Sequence, residues 1–204
     1  RFCENVIQKE TEGGLRYEHA SRRASEDLDQ PQFYVGQRTF ATVSGSLGAS
    51  YAVADGWRIG LNLSRTSRAP SPEELFANGP HAGTEAFEVG DPNLRPERVW
   101  GVEAVLRGGG TGYSFEASAY HSWFDGYIYQ QRTGSFEDGL PVYETHQNDA
   151  RYYGFEVQGK VTLARFGEAE LVADALADYV HARVRSVGPA PRIPPLRMLG
   201  GLGI

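Results

Sequence analysis

The side chains best suited to chemistry in this chain are few and close together. His81, in Gly79-Pro80-His81, is followed by Glu85, Glu88 and Asp91. An imidazole nitrogen with carboxylate oxygens suits zinc or another first-row metal ion. His146 could reach the same rim from a second loop. The five histidines include no His-x-x-x-His pair, and the single cysteine, Cys3, can build neither a structural zinc site nor an internal disulfide. His121 falls on an apolar strand face, which argues against it as a ligand. No Gly-x-Ser-x-Gly elbow frames a nucleophile. Glu73-Glu74, or Glu85 with Glu88, could act as a glycosidase acid and base, but adjacent loop carboxylates are far more often solvated or capping. The expectation is a protein that is not an enzyme and needs no cofactor of its own.

The net charge of −6, without a basic run, argues against a nucleic-acid partner. No apolar run approaches the length of a membrane-spanning helix. The opening Arg1-Phe2-Cys3-Glu4-Asn5 has no signal-peptide pattern. That fits either a cytoplasmic protein or the interior of a longer chain.

The candidate residues sit in a stretch from Leu61 to Glu103 whose ends alternate like strands. Its middle is dense in turn formers: Pro70, Pro72, Gly79-Pro80, Gly83, Gly90-Asp91-Pro92 and Pro96. So long a connection tends to be functional. Ser71-Pro72-Glu73-Glu74 reads as an N-cap, a proline at the first helical position and an acid at the third, with Leu75 and Phe76 packing the turn down.

Around this stretch the chain alternates with period two, the mark of strands. Val43, Leu47, Ala49, Tyr51 and Val53 share one face, and Thr42, Ser44, Ser46 and Ser50 the other. Asp55-Gly56 turns the chain, and Trp57, Ile59, Leu61 and Leu63 return. Trp100 to Leu106, Tyr113 to Trp123, Tyr153 to Leu163, Leu171 to Tyr179 and Leu196 to Ile204 follow suit, although the alanines of Leu171–Tyr179 would also suit a helix. Leu15 and Tyr17 begin the series. Ser21 to Gln30, with Pro31 after it, reads as a loop, and so does the polar segment from Asp125 to about Arg151.

The apolar face could pack in a soluble sandwich or meet lipid, and three features favour lipid. The strands run to on the order of ten residues or more. Connections alternate between short (after Val53, Gly108 and Leu163) and long (after Ala20, Ser64, Phe124 and Arg185), which collects the long loops at one end. Aromatics fall near strand ends: Tyr51, Trp57 and Tyr113 toward the short turns, Trp100, Trp123 and Tyr153 toward the loops. A one-residue slip would put Arg107 or Lys160 into hydrocarbon at about 2–4 kcal/mol each. Facing inward, those charges and Glu103, Glu116 and Glu156 meet water or a plug.

Arg68-Ala69-Pro70, Glu74-Leu75-Phe76, Gly79-Pro80-His81, Phe87-Glu88 and Gly90-Asp91-Pro92-Asn93-Leu94-Arg95-Pro96-Glu97, followed by Glu103, resemble the late barrel region of TonB-dependent outer-membrane receptors. The Gly-Pro-His, Thr84, Phe87-Glu88 spacing is most similar to the branch that includes zinc-receptor-like members. The resemblance covers roughly Leu15 to the C-terminus and is specific in the long loop. It implies an all-β fold, an antiparallel up-and-down transmembrane β-barrel. Such receptors close about 22 strands around a plugged lumen. This chain offers about eight, so residues 1–204 read as one segment of a single barrel domain, with the plug and the remaining strands absent.

The resemblance further implies bacterial outer-membrane lipid around the wall and a TonB-type energy-transducing partner acting through the missing plug. The transported ligand would be a metal ion or metal complex, zinc or an iron siderophore. Arg68, Pro70, Asn93, Arg95, Pro96 and Glu97 match the family loop and are expected to be structural. Pro92 and Pro96 fix φ, Asn93 can satisfy loop backbone, and Glu97 can pair with Arg95 or Arg98. In Asn148 to Glu156, Gly154 could allow close approach of a neighbouring strand or the plug. Two other readings stay open: a complete eight-stranded barrel with a structural or adhesive role, and a soluble β-sandwich binding protein or glycosidase.

Overall fold

The structure, a computed structural model, describes residues 9–25 and 35–204. Cys3, the opening residues and the part of the expected loop at 26–31 lie outside them. Among the described residues all strands belong to one 11-stranded sheet. Its long members are β1 (Lys9–Ala24), β2 (Gly36–Ala54), β3 (Trp57–Arg68), β6 (Glu97–Gly110), β7 (Tyr113–Glu137), β8 (Leu140–Phe166), β9 (Ala169–Val184) and β11 (Arg197–Gly203). Between β3 and β6 come the short helix α1 (Pro72–Phe76), β4 (Asn78–His81) and β5 (Ala86–Val89), and β10 (Gly188–Pro189) follows β9.

The main run β1-β2-β3-β6-β7-β8-β9-β11 is antiparallel throughout. This is the up-and-down wall expected from the sequence. Among the described residues β1 and β11 do not pair with each other, so the wall is an open part of a barrel.

Register resolves the two faces. One level runs Leu61, Ala104, Ala119, Phe155 and Tyr179 across β3, β6, β7, β8 and β9. Leu47, Leu61 and Leu63 on this parity are 60%, 48% and 47% exposed, so they do not converge on a dry interior. The opposite parity lines a concave cavity of about 640 Å³, where Glu10, Arg58, Glu103, Arg107, Glu116 and Glu156 gather. Apolar residues on the convex face and charges in the hollow are the arrangement of a membrane barrel, the reverse of a soluble core.

The true core lies at the loop end. Ala20 and Phe40, opposite each other in β1 and β2, pack with Ala69, Leu75, Phe76, Leu94 and Ile128. A second cluster gathers Tyr129, Ala150, Ala182, Val184 and Ala190. Fully burying a side chain such as Leu75 or Phe76 contributes about 1.5–3 kcal/mol, so these clusters hold the loops against the wall.

Two segments expected as loops are strands. β1 continues through Ser21 to Ala24, paired to Gly36–Thr39. The polar stretch after Asp125 is the top of the β7–β8 hairpin, closed by Asp138 and Gly139 at φ 51° and 78°. That pair suits a tight hairpin turn. The hairpin rises past β6 and β9, with β5 along part of β8; Ile128, Tyr129, Val142 and Thr145 are buried there, while Gln131 to Glu137 are exposed and the two-residue alternation is lost. The alanine-rich segment is a strand, as its pairing with β8 and β11 demands.

Candidate functional site

The long loop builds itself from its neck. Arg68 and Glu97 are the last register pair of β3 and β6, with an N···O distance of 3.4 Å. Arg68 also donates to Glu74 at 2.8 Å. Burial opposes the charge on Arg68, but hydrogen bonds and attraction from Glu74 and Glu97 outweigh it and hold its pKa above the ordinary guanidinium value. Glu97, 8% exposed, accepts the backbone N–H of Ile128 at 2.9 Å. It therefore ties β3, β6 and β7 together, whereas Arg98 pairs with Asp125 instead.

The expected helical turn forms with a full capping box. Ser71 accepts from Glu74 N at 3.1 Å, and Glu74 accepts from Ser71 N at 2.8 Å. The turn buries Leu75 and Phe76. Gly90 then passes so close that a Cβ would lie 2.7 Å from Leu75 C and 2.8 Å from Phe76 N. The backbone there closes through Gly90 N to Ala77 O at 2.7 Å and Asp91 N to Glu74 O at 2.9 Å. Asp91 accepts from Asn93 N at 2.8 Å. Thus the backbone at this turn is satisfied by the Asp91 side chain, while Asn93 is exposed.

Three clamps were not read from the sequence. Arg22 donates to Pro70 O at 3.1 Å. Arg38 donates to Pro92 O, and to Leu94 O at 3.2 Å. Gln147 accepts from Arg95 N at 3.1 Å and donates to both Arg95 O and Gly126 O at 2.8 Å. A signal exists only once register is known: Arg22 and Arg38 are directly opposite, a destabilising pair unless each finds an acceptor. Gly154 has the close approach expected of it, since a Cβ would run into the carbonyl oxygen of Tyr179 on β9.

Anchored this way, the loop carries the β4–β5 hairpin from the β3 side of the wall to the edge of β8. There Phe87, Glu88 and Val89 pair in parallel with Val142, Tyr143 and Glu144. At the hairpin tip Thr84 Oγ1 donates to Glu88 Oε1 at 2.7 Å and lies 3.1 Å from His81 Nδ1. The Thr84 hydroxyl has Glu88 as its nearer acceptor and His81 O at 3.4 Å. In the tautomer that places the proton of His81 on Nδ1, this nitrogen donates to Thr84 Oγ1 and Nε2 keeps its lone pair on a ring 56% exposed. Glu88 sits 3.6 Å from His81 and is nearly buried.

Of the candidate metal residues the structure brings together His81 and Glu88. Glu85 is exposed at the turn with φ 49°, Asp91 is engaged in its own turn, and His146 lies 3.6 Å from Glu144 on β8. Among the described residues no three His, Cys, Asp or Glu side chains converge on one point. The pair can offer an exposed imidazole nitrogen to a ligand, while other donors would have to come from the ligand or from elsewhere in the protein.

An open antiparallel wall with an apolar convex face, a charged hollow and a loop folded into its mouth defines a membrane β-barrel segment. The chain belongs to the family described as TonB dependent receptor-like, beta-barrel, which matches residues 10–201. Its fold is similar to the copper transporter OprC (21% identity, TM-score 0.76, covering 95% of this chain and 30% of that one). It is also similar to the FrpB iron transporter from Neisseria meningitidis (13%, TM-score 0.57, covering 86% and 24%). A third neighbour is the siderophore receptor PirA from Pseudomonas aeruginosa (13%, TM-score 0.50, covering 85% and 37%). At these identities the likeness is one of fold. The chain spans well under half the length of each.

Proposed function

We propose that this chain is part of the wall and outer mouth of a bacterial outer-membrane receptor that binds a metal ion or metal complex and imports it actively. The observation that carries the reading is the long loop. It is pinned inside the mouth by Arg22, Arg38, Glu97 and Gln147, and it presents the His81–Thr84–Glu88 relay. A loop stapled at so many points can hold a ligand-facing group in one geometry, which lowers the ordering cost of capture. Family membership supports outer-membrane placement and a TonB-type partner. That the copper transporter, the iron transporter and the siderophore receptor share this fold supports metal or metal-complex cargo.

In this reading His81 Nε2 contacts the metal or its chelator, Glu88 and Thr84 fix the imidazole tautomer, and the charged hollow faces a plug supplied by another part of the protein. Uptake of radiolabelled zinc and of an iron–siderophore complex, in cells with and without the energy-transducing partner, is the test. Energy-dependent uptake of either is expected, and uptake of neither would end the reading. Zinc titration of the receptor with and without His81→Ala tests the residue, because unchanged affinity removes it as a ligand.

A further inference from the structure

Long loops over a transport mouth are ordinary candidates for lids that close on cargo. Here the upper part of the β7–β8 hairpin is gripped on both faces and along one edge. Ile128 and Gln147 are register partners, and the next pair, Tyr129 and His146, points to the opposite face. On the first face Ile128 packs with Leu75, Phe76 and Leu94 of the long loop, and Gln147 holds the Arg95 backbone. On the second, Tyr129 is buried with Ala182, Val184 and Ala190, and Ile193 packs against the same cluster. Ala190 and Ile193 belong to the chain after β9. There β10 pairs back onto Arg183 and Val184, and Ala190 N donates to Ala182 O at 3.0 Å. Pro189, Pro191, Pro194 and Pro195 restrict φ along that segment. Along the edge, Phe87 to Val89 of the long loop pair with Val142 to Glu144. The wall adds its own hold, through Arg22 on Pro70 O and Arg38 on Pro92 O and Leu94 O.

The long loop, the hairpin and the segment after β9 thus form one layered unit. We infer that this unit is a stationary part of the mouth. It keeps one arrangement when cargo binds and while cargo passes, and opening or closing is left to the rest of the barrel rim. The inference rests on the transport reading above and adds which side of the mouth does not move. A net hydrogen bond favours its bonded form about fivefold. Lifting the long loop breaks five side-chain bonds to its main chain, from Arg22, Arg38 and Gln147. A ligand would have to prefer the lifted form by about a thousandfold or more, before the apolar contacts of Leu75, Phe76 and Ile128 are counted. Coupling between a ligand and a conformational change is typically about 5- to 150-fold, so the bound arrangement wins. The groove of about 410 Å³ between the layers, lined by Glu74, Tyr127, Tyr129, Thr145 and Arg192, then keeps a fixed outline.

The test uses the full receptor with Cys3→Ser and Phe87→Cys/Val142→Cys, register partners of β5 and β8 whose disulfide locks the long loop to the hairpin. Energy-dependent uptake of radiolabelled zinc and of an iron–siderophore complex is measured in cells after oxidation and after reduction. Uptake by the locked receptor is expected to stay within about twofold of the reduced form, because a part that does not move loses nothing when fixed. A larger fall that reductant restores overturns the inference. Spin labels at Ala82→Cys in the long loop and Val187→Cys after β9, both exposed, read the same unit without a lock. Their separation should shift by less than about 2 Å on addition of zinc or of the iron–siderophore complex, and a larger shift with either overturns the inference. Those labels decide the matter alone where the disulfide does not form. Wild-type receptor that takes up neither cargo defeats the transport reading itself, whereas uptake by wild type with loss in the locked form defeats only the stationary unit.

Discussion

Glu97 accepts the backbone N–H of Ile128 at 2.9 Å, so a carboxylate at the start of β6 fixes where β7 leaves the wall. The same carboxylate faces Arg68 across the loop neck. Removing it strands a donor in a buried place, which costs more than the modest net gain of making the bond. Glu97→Ala should therefore destabilise by about 1–3 kcal/mol, with little added from the half-exposed Arg68 partner. Glu97→Gln, which keeps an acceptor, should cost less. Thermal unfolding in detergent reads the difference, and equal losses would contradict the backbone role.

The capping box and the close approach of Gly90 make separate predictions for the helical turn. Ser71→Ala should cost about 0.5–2 kcal/mol through the lost cap. Gly90→Ala should cost about 1–3 kcal/mol, because the added methyl meets main-chain atoms of Leu75 and Phe76 that cannot rotate away. Limited proteolysis within 78–90 should become faster in both variants. Unchanged cleavage with Gly90→Ala would show that the hairpin does not dock against α1.

Gln147→Ala removes all three of its bonds to the backbone of Arg95 and Gly126. Amide exchange at Arg95 and the residues beside it should accelerate several-fold, consistent with about 1 kcal/mol per lost bond. The β-sheet amides at Leu61 and Ala104 should not change. Uniform acceleration through the wall would contradict a local clamp.

Strand alternation, the Asp55-Gly56 turn and the Ser71–Glu74 cap were legible because each is local: period, turn chemistry and capping need only neighbours in sequence. The β7–β8 extension was missed because Ile128 and Tyr129, neighbours in sequence, are buried in different clusters, and Gln131 to Glu137 beyond them are exposed on both faces, so no two-residue period survives. The clamps were missed for another reason. Arg22, Arg38 and Gln147 bond to main-chain atoms of residues far along the chain, and a carbonyl leaves no mark on the sequence. At the candidate site, His81 and Glu88 were legible as neighbours. The relay through Thr84 depended on the β4–β5 register, and no sequence pattern fixes that.

The faces of the wall also predict opposite responses to charge. Leu61→Arg, midway between the Trp57 and Trp100 levels, should destabilise the inserted barrel by about 2–4 kcal/mol. Asn62→Arg, which joins Glu12 and Glu103 in the hollow, should be close to neutral. Urea unfolding in lipid vesicles compares them, and equal costs would contradict the assigned faces.

The most direct measurement places a spin label at Leu61→Cys or Asn62→Cys in the receptor reconstituted in a bilayer, and reads collision with oxygen and with a water-soluble nickel chelate. The expected result is high oxygen and low nickel contact at position 61, reversed at position 62. Low contact with both reagents at position 61 would mean a packed dry interior and would contradict the membrane wall on which the transport reading stands.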